Sequence, residues 1–282
     1  MQPAKNYSMA APFSLARSLL GRVYHSARSR AAATRMRGVR RSIAAGNSLK
    51  DKVALITGAS SGIGLAIATA FARAGADCIL VAIDAEAGAA AVDSLNAQKL
   101  RANLEIADVS DARQVEKLAV EVRKRFDRVD VLVNNAGVFL DDDRTMHAGA
   151  VEDSVVQRTL AVNLYGTLHV CSSFAPLMAN GGRIINVSSV MGQLSRTSDG
   201  YAPAYRLSKA ALNSYTQSLA ADLRSRRIMV DCLHPGWVRT AIGGPQAEID
   251  PEEATDTAFF LATRPASTAT GLFWWDCQTI RW

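Results

Sequence analysis

From Asp51 onward the apolar residues change period again and again, and few architectures accept such a pattern. "KVALITG" is a short continuous apolar run, whereas "GIGLAIATAFARAGA" places Ile63, Ile67, Ala70, Phe71 and Ala74 at helical spacing. The alternation continues through "CILVAI" and the Ala-rich 86–97, "NLEIADV" and 111–126, then "VDVLVNNAG" and 152–179. "RIINVSS", a helix over about 203–226 and "IMVDCLHPG" complete it. Short buried strands alternating with helices predict parallel strands joined by right-handed crossovers, hence an α/β fold with a doubly wound, Rossmann-type three-layer αβα sheet. The chain has 282 residues, 49% of them hydrophobic, which suits one large core better than two. We take residues 51–282 as that single domain. The longer connections, around 139–151, 190–203 and 239–252, follow strands, where such sheets bind ligands.

Residues 1–50 form a basic N-terminal extension outside the alternating pattern. They hold eight Arg and two Lys with no acidic residue, so the chain's formal charge of +6 is owed to this segment and the rest of the chain, with 22 basic and 26 acidic residues, is slightly acidic. A composition rich in Arg, Ser and Ala, with apolar residues from Phe13 to Val23 able to share a helical face, is that of an organelle transit peptide. A disordered basic tail and a misassigned start are the alternatives. A mitochondrial location is expected in the first case and a cytoplasmic one otherwise. The segment lacks the interleaved aromatics of a nucleic-acid binder. No apolar run approaches the ~18 residues of a membrane span. Cys78, Cys171, Cys232 and Cys277 form no C-x-x-C, and neither a metal site nor a disulfide framework is expected.

Three strand ends carry motifs. "TGASSGIG" supplies Gly58, Gly62 and Gly64 for a tight turn, close backbone approach to phosphate and close helix packing, with a helix N-terminus facing the anion. "NNAG" at 134–137 and "NVSS" at 186–189 open onto the same crevice. In "YRLSK", Tyr205 and Lys209 lie on one helical face, one turn apart, and of the tyrosines only Tyr205 has a lysine four residues on.

In this order the motifs resemble the short-chain dehydrogenase/reductase family in its one-domain form, from about Asp51 to Trp282. They are Thr57-Gly-x-x-x-Gly-x-Gly64, Asp108-Val109, Asn134-Asn-Ala-Gly137, Asn163, Ser189, Tyr205-x-x-x-Lys209, and Pro235-Gly236 with Thr240. "HPGWVRTAIGG" and the ending "GLFWWDCQTIRW" are similar to the carbonyl-reductase-like branch. The resemblance implies an NADPH-dependent reductase of ketones and aldehydes, with Tyr205 as proton donor, Lys209 tuning it and holding the nicotinamide ribose, Ser189 donating to the substrate oxygen, and Asn163 holding a water that reprotonates Lys209. It implies cofactor contacts from Gly58, Ser60, Ser61, Gly62, Ile63, Gly64, Ile83, Asp108, Val109, Asn135, Ala136, Gly137, Pro235, Gly236, Val238 and Thr240. It also implies a small-molecule substrate and a homo-oligomer, dimer or tetramer.

The cofactor reading has a departure in it. An acid at the Ala82 position would bind a ribose 2′-hydroxyl and repel a 2′-phosphate, so its absence argues against strict NAD use. Yet Ile83 stands where the carbonyl-reductase branch normally has Arg. NADP(H) is favoured and NAD(H) stays open. The alternative functions are an NAD-dependent alcohol dehydrogenase, a cofactor-sensing binding protein, and a lyase or epimerase of related fold. Asp141-Asp142-Asp143 reads as a solvated acidic loop beside the site. Trp274, Trp275 and Trp282 either pack the sheet end or line the substrate pocket.

Overall fold

The alternation along the first strand dictates the layers. In β1 (Val53–Thr57), Leu55 joins Ile79, Val81 and Leu132 on one face, while Ala54 and Ile56 join Leu80, Val131 and Val133 on the other. A sheet apolar on both faces must be covered on both, and helices do so here. The computed structural model describes residues 30–195, 200–266 and 269–282.

The other strands are β2 (Asp77–Ala82), β3 (Ala102–Ile106), β4 (Val129–Asn134), β5 (Met178–Val187), β6 (Met229–Leu233), β7 (Phe273–Trp275) and β8 (Gln278–Ile280). Their order is β3-β2-β1-β4-β5-β6-β7-β8, parallel up to β7. The order reverses between β1 and β4, and the crevice outside their carboxyl ends is the topological switch point. This is the single doubly wound domain expected. The closing antiparallel strand was not anticipated: β7 and β8 form a hairpin whose turn residues Asp276 and Cys277 both have positive φ, 49° and 58°.

The segment 152–179, read as one long helix, is broken. It runs as helices Asp153–Leu160 and Thr167–Phe174 around a π-helical stretch, Ala161–Gly166, and the chain is already in β5 at Met178. Pro176 cannot continue a helix, which ends the second piece.

The N-terminal segment also differs from a bare extension. The helix Arg30–Ala44 buries Met36 and Val39 in the same core cluster as Phe71 and Phe259. Arg40 pairs with the buried Asp256 at 3.0 Å, and the Leu49 amide donates to the Ala74 carbonyl at 2.9 Å. Packed structure therefore begins about twenty residues before the alternating pattern, because a docked helix outside the β-α repeat leaves no mark on that pattern. The apolar face expected over Phe13–Val23 lies outside the described residues. Among those described, no helix is long and apolar enough to cross a membrane.

Candidate active site

The glycine turn is built to a tolerance that only glycine meets. Gly58 has φ of +62°, and a Cβ there would stand 2.8 Å from Ala136 Cα; one on Gly64 would stand 2.2 Å from the Gly58 carbonyl oxygen. Asn135 explains that crowding. Its side-chain amide donates to the Thr57 and Gly58 carbonyls, 3.0 Å each, while the Thr57 hydroxyl accepts from the Asn135 and Ala136 amides. The "NNAG" segment thus buttresses the turn. The helix that follows, Gly62–Arg73, begins at Ser61 without a side-chain cap. An uncapped helix start in a glycine cradle fits a dinucleotide's phosphates, with Ser60, Ser61 and Ile63 on its rim.

β2 lies beside β1 in register, Thr57 opposite Val81, and the Ala59 amide donates to the Val81 carbonyl at 3.2 Å. The end of β2 is therefore at the turn. Ala82 is 2% exposed with its Cβ against the helix Ala85–Ala97 at Gly88, whereas Ile83 is 70% exposed. Asp84 commits one oxygen to capping that helix: its Oδ1 accepts from the Glu86 and Ala87 amides at 2.9 and 3.0 Å. Asp108, after β3, commits one oxygen to Ser110, and Val109 packs on Gly166 while its carbonyl meets His169 Nδ1 at 3.1 Å.

The helix Pro203–Asp222 carries Tyr205 and Lys209 to the same edge, with Nζ 5.6 Å from the centre of the phenol ring. Lys209 is buried, donates to the Val187 carbonyl at 2.9 Å, and burial draws its pKa down from 10.5 to about 8. Of its three donors, two remain for other partners. Ser188 and Ser189 separate cleanly. Ser188 is buried and donates to Asn213 Oδ1 at 2.5 Å. Ser189 Oγ only accepts, from the Met191 amide at 3.1 Å, which leaves its hydroxyl proton for a substrate oxygen.

Asn163 sits in the π-helical stretch. Its Oδ1 accepts from the Val138 amide at 2.7 Å, and its Nδ2 donates to the Val138 carbonyl and to Ser208 Oγ at 2.9 and 3.0 Å. Both amide protons are spent, so Asn163 can meet a water serving Lys209 only as an acceptor, through Oδ1 or its carbonyl. A Cβ on Gly137 would be 3.2 Å from Asn163 Oδ1 and 3.7 Å from Lys209 Nζ, which places the three together.

This arrangement has known counterparts. The sequence profile described as short chain dehydrogenase matches residues 52–250. The chain belongs to the short-chain dehydrogenase family. Carbonyl reductase [NADPH] 1 of Sus scrofa is 31% identical over 83% of this chain and 96% of its own, and cyclohexanol dehydrogenase of a Rhodococcus species is 34% identical over 68% and 76%. Among solved structures, a blue fluorescent protein from a metagenomic library in complex with NADPH superposes with a TM-score of 0.73 at 30% identity, covering 80% of this chain and 96% of that one. A Burkholderia cenocepacia short chain dehydrogenase in complex with NADP does so with the same figures. As a member of this family the chain is an oxidoreductase.

Within that family frame Lys209 links the predicted residues: its Nζ meets the Val187 carbonyl two residues before Ser189, faces the Tyr205 ring, and lies across Gly137 from Asn163. Pro235, Gly236, Val238 and Thr240 follow β6, and the Thr240 methyl lies against Gly62, 3.1 Å from where a Cβ would be. Trp274 packs in the core, its Nε1 donating to Asp231 at 3.3 Å, and Trp282 stacks on Phe273. Two residues escaped the sequence reading. Phe139 stacks on the Tyr205 ring at 4.6 Å. Asp143, expected in a solvated loop, is fully buried on the short helix Asp141–Thr145. The one signal was negative: "YAPAYRLSK" has no Ser, Thr, Asp or Asn just before its helix, so the cap had to come from elsewhere.

Proposed function

We propose that the chain is an NADPH-dependent carbonyl reductase acting on small ketones or aldehydes, with Tyr205 as the proton donor. The observation that carries this reading is the buried Lys209, one helical turn from Tyr205 and drawn to about 8. An ordinary phenol, at about 10, is a poor acid near neutrality, and a neighbouring ammonium favours the phenolate. The nicotinamide, when bound, supplies the hydride. This chain's residues do the rest. Ser189 donates to the carbonyl oxygen, Tyr205 protonates it as charge develops, and Lys209 keeps the phenolate accessible. Asn163 holds the Val138 backbone against the Ser208 hydroxyl beneath them.

NADP(H) is supported by the apolar Ala82 at the end of β2, where an acid would repel a 2′-phosphate, and by the NADP-bound relatives. Ile83, with no guanidinium to grip a 2′-phosphate, favours a second reading in which NAD(H) also serves. The test is NADPH and NADH consumption over a panel of ketones, aldehydes and quinones. Turnover with no member of the panel would overturn the proposal.

Two further readings belong here. A homo-oligomer is expected from the family resemblance, and a monomer mass by light scattering would reject it. The basic sequence ahead of the packed helix Arg30–Ala44 is read as a mitochondrial address, with a cytoplasmic location as the alternative, tested by a reporter fused to residues 1–50; a diffuse cytosolic signal would reject the address.

A further inference from the structure

The start of the Tyr205 helix presents a problem its own sequence does not solve. Its N-cap, Ala202, has φ of 54° and a methyl side chain, so no local group meets the first amides. Pro203 has no N–H, and the first intrahelical bond is Arg206 N to the Ala202 carbonyl. The Ala202, Ala204 and Tyr205 amides remain. All three go to one segment, Asp143–Met146. The Ala202 amide donates to the Met146 carbonyl at 3.4 Å, the Ala204 amide to Asp143 Oδ1 at 3.0 Å, and the Tyr205 amide to Asp143 Oδ2 at 2.8 Å. Asp143 is fully buried, and among the described residues no cation pairs with it, since Arg144 and Arg158 pair with Asp141 and Asp142 instead. A buried carboxylate without a cation persists only where such donors hold it, and a helix N-terminus is where two amides and the helix dipole converge.

The same loop, from Phe139 onward, grips Tyr205 from a second side. The Phe139 ring stacks on the phenol at an interplanar angle of 22°, and the Arg144 guanidinium lies over Phe139 at 4.0 Å. Tyr205 and Arg144 must occupy opposite faces of Phe139, since both cannot stack on one. Arg144 also donates to the Ile242 carbonyl at 2.7 Å, in the loop after β6.

We infer that Asp143 is a positioning residue for Tyr205. Its carboxylate fixes the backbone of the proton donor, and the segment it belongs to holds the phenol ring through Phe139 and the loop after β6 through Arg144. The inference rests on the proposed role of Tyr205 as acid.

The experiment replaces Asp143 with Asn, which keeps the shape and one acceptor, and in a second variant with Ala. Asp143→Asn is expected to lower kcat at least tenfold with NADPH affinity, measured by fluorescence titration, unchanged within twofold; Asp143→Ala is expected to lower it further. In a Tyr205→Phe background the same substitution should not reduce the residual rate, because it acts through the missing hydroxyl. Hydrogen exchange followed by mass spectrometry should show faster exchange over residues 202–206 in Asp143→Asn, without change in the later turns of the helix. A kcat within twofold of the parent, or an equal loss in the Tyr205→Phe background, would overturn the inference. If the parent turns over no carbonyl, the proposed function fails while the exchange measurement still decides the capping role. Unchanged exchange at 202–206 then sinks it.

Discussion

At the residue scale, the proposed mechanism rests on a half-buried phenol and a buried amine. Tyr205→Phe keeps the ring that stacks on Phe139 and removes only the hydroxyl, so turnover should fall by orders of magnitude while NADPH binding stays within a few-fold. Steady-state rates and a fluorescence titration check this, and retained turnover would remove the mechanism. Lys209 carries a second prediction through linkage. Its folded pKa is about 8 against 10.5 in an exposed lysine. Below pH 8 both states are protonated and the fold bears the full cost of burying the ammonium. Between 8 and 10.5 the unfolded chain binds the proton that the folded one has released, so stability rises with pH. Lys209→Met removes that slope. The stability difference, variant minus parent, should be largest below pH 8 by roughly 3 kcal/mol and shrink toward pH 10.5. Denaturant titrations at several pH values measure it, and a pH-independent difference would mean that Lys209 is not desolvated. The variant should also turn over far more slowly.

At the element scale, the proposed cofactor choice turns on the end of β2. Val81 and Ala82 are both buried and Ile83, just past the strand, is exposed, so on that reading discrimination falls to Ile83. Ile83→Arg places a guanidinium fork where a 2′-phosphate is expected and should raise the NADPH over NADH preference in kcat/KM by roughly tenfold, about 1.4 kcal/mol, with little change in kcat. An unchanged ratio would place the adenosine ribose elsewhere. Ala82→Asp, which sequence reasoning nominates as the opposite switch, instead puts a carboxylate against Gly88 and Leu104. It should lower the melting temperature before it alters preference. The helix 153–174 has a comparable lesson. Its π-helical stretch turns Asn163 onto Val138 and Ser208, and helical periodicity counted at a constant 3.6 residues per turn passes over such a widening.

At the scale of the whole molecule, the N-terminal helix and the active site are separable. The helix Arg30–Ala44 packs in the cluster of Phe71 and Phe259, on the helices Gly62–Arg73 and Thr255–Thr263, and that cluster includes none of Ser189, Tyr205 or Lys209. A chain beginning at Leu49 lacks Met36 and Val39, whose burial contributes roughly 1.5–3 kcal/mol each. It should melt several degrees lower yet turn over at the parental rate below its transition. Calorimetry and initial rates test both halves; a truncated chain with parental stability would show that the helix contributes nothing in solution.

The sequence by itself determined the layered α/β architecture, because buried parallel strands require continuous apolar runs and their covering helices require a 3.6-residue stripe. Both are local patterns. It also carried the glycine turn and the Tyr205-Lys209 pair, whose spacings lie within one turn or one helix. The remaining features involve partners far apart in the chain. Asp143 became a buried cap because the Tyr205 helix, about sixty residues later, begins without one of its own. Ser188 was separated from Ser189 because Asn213 stands under the first and not the second. Ala82 was withdrawn from the cofactor cleft by a glycine on the next helix, and Arg30–Ala44 became part of the core because Phe71 and Phe259 offered it a surface. A side chain's burial and its hydrogen-bond partner are set by whatever folds against it, and no local period records that.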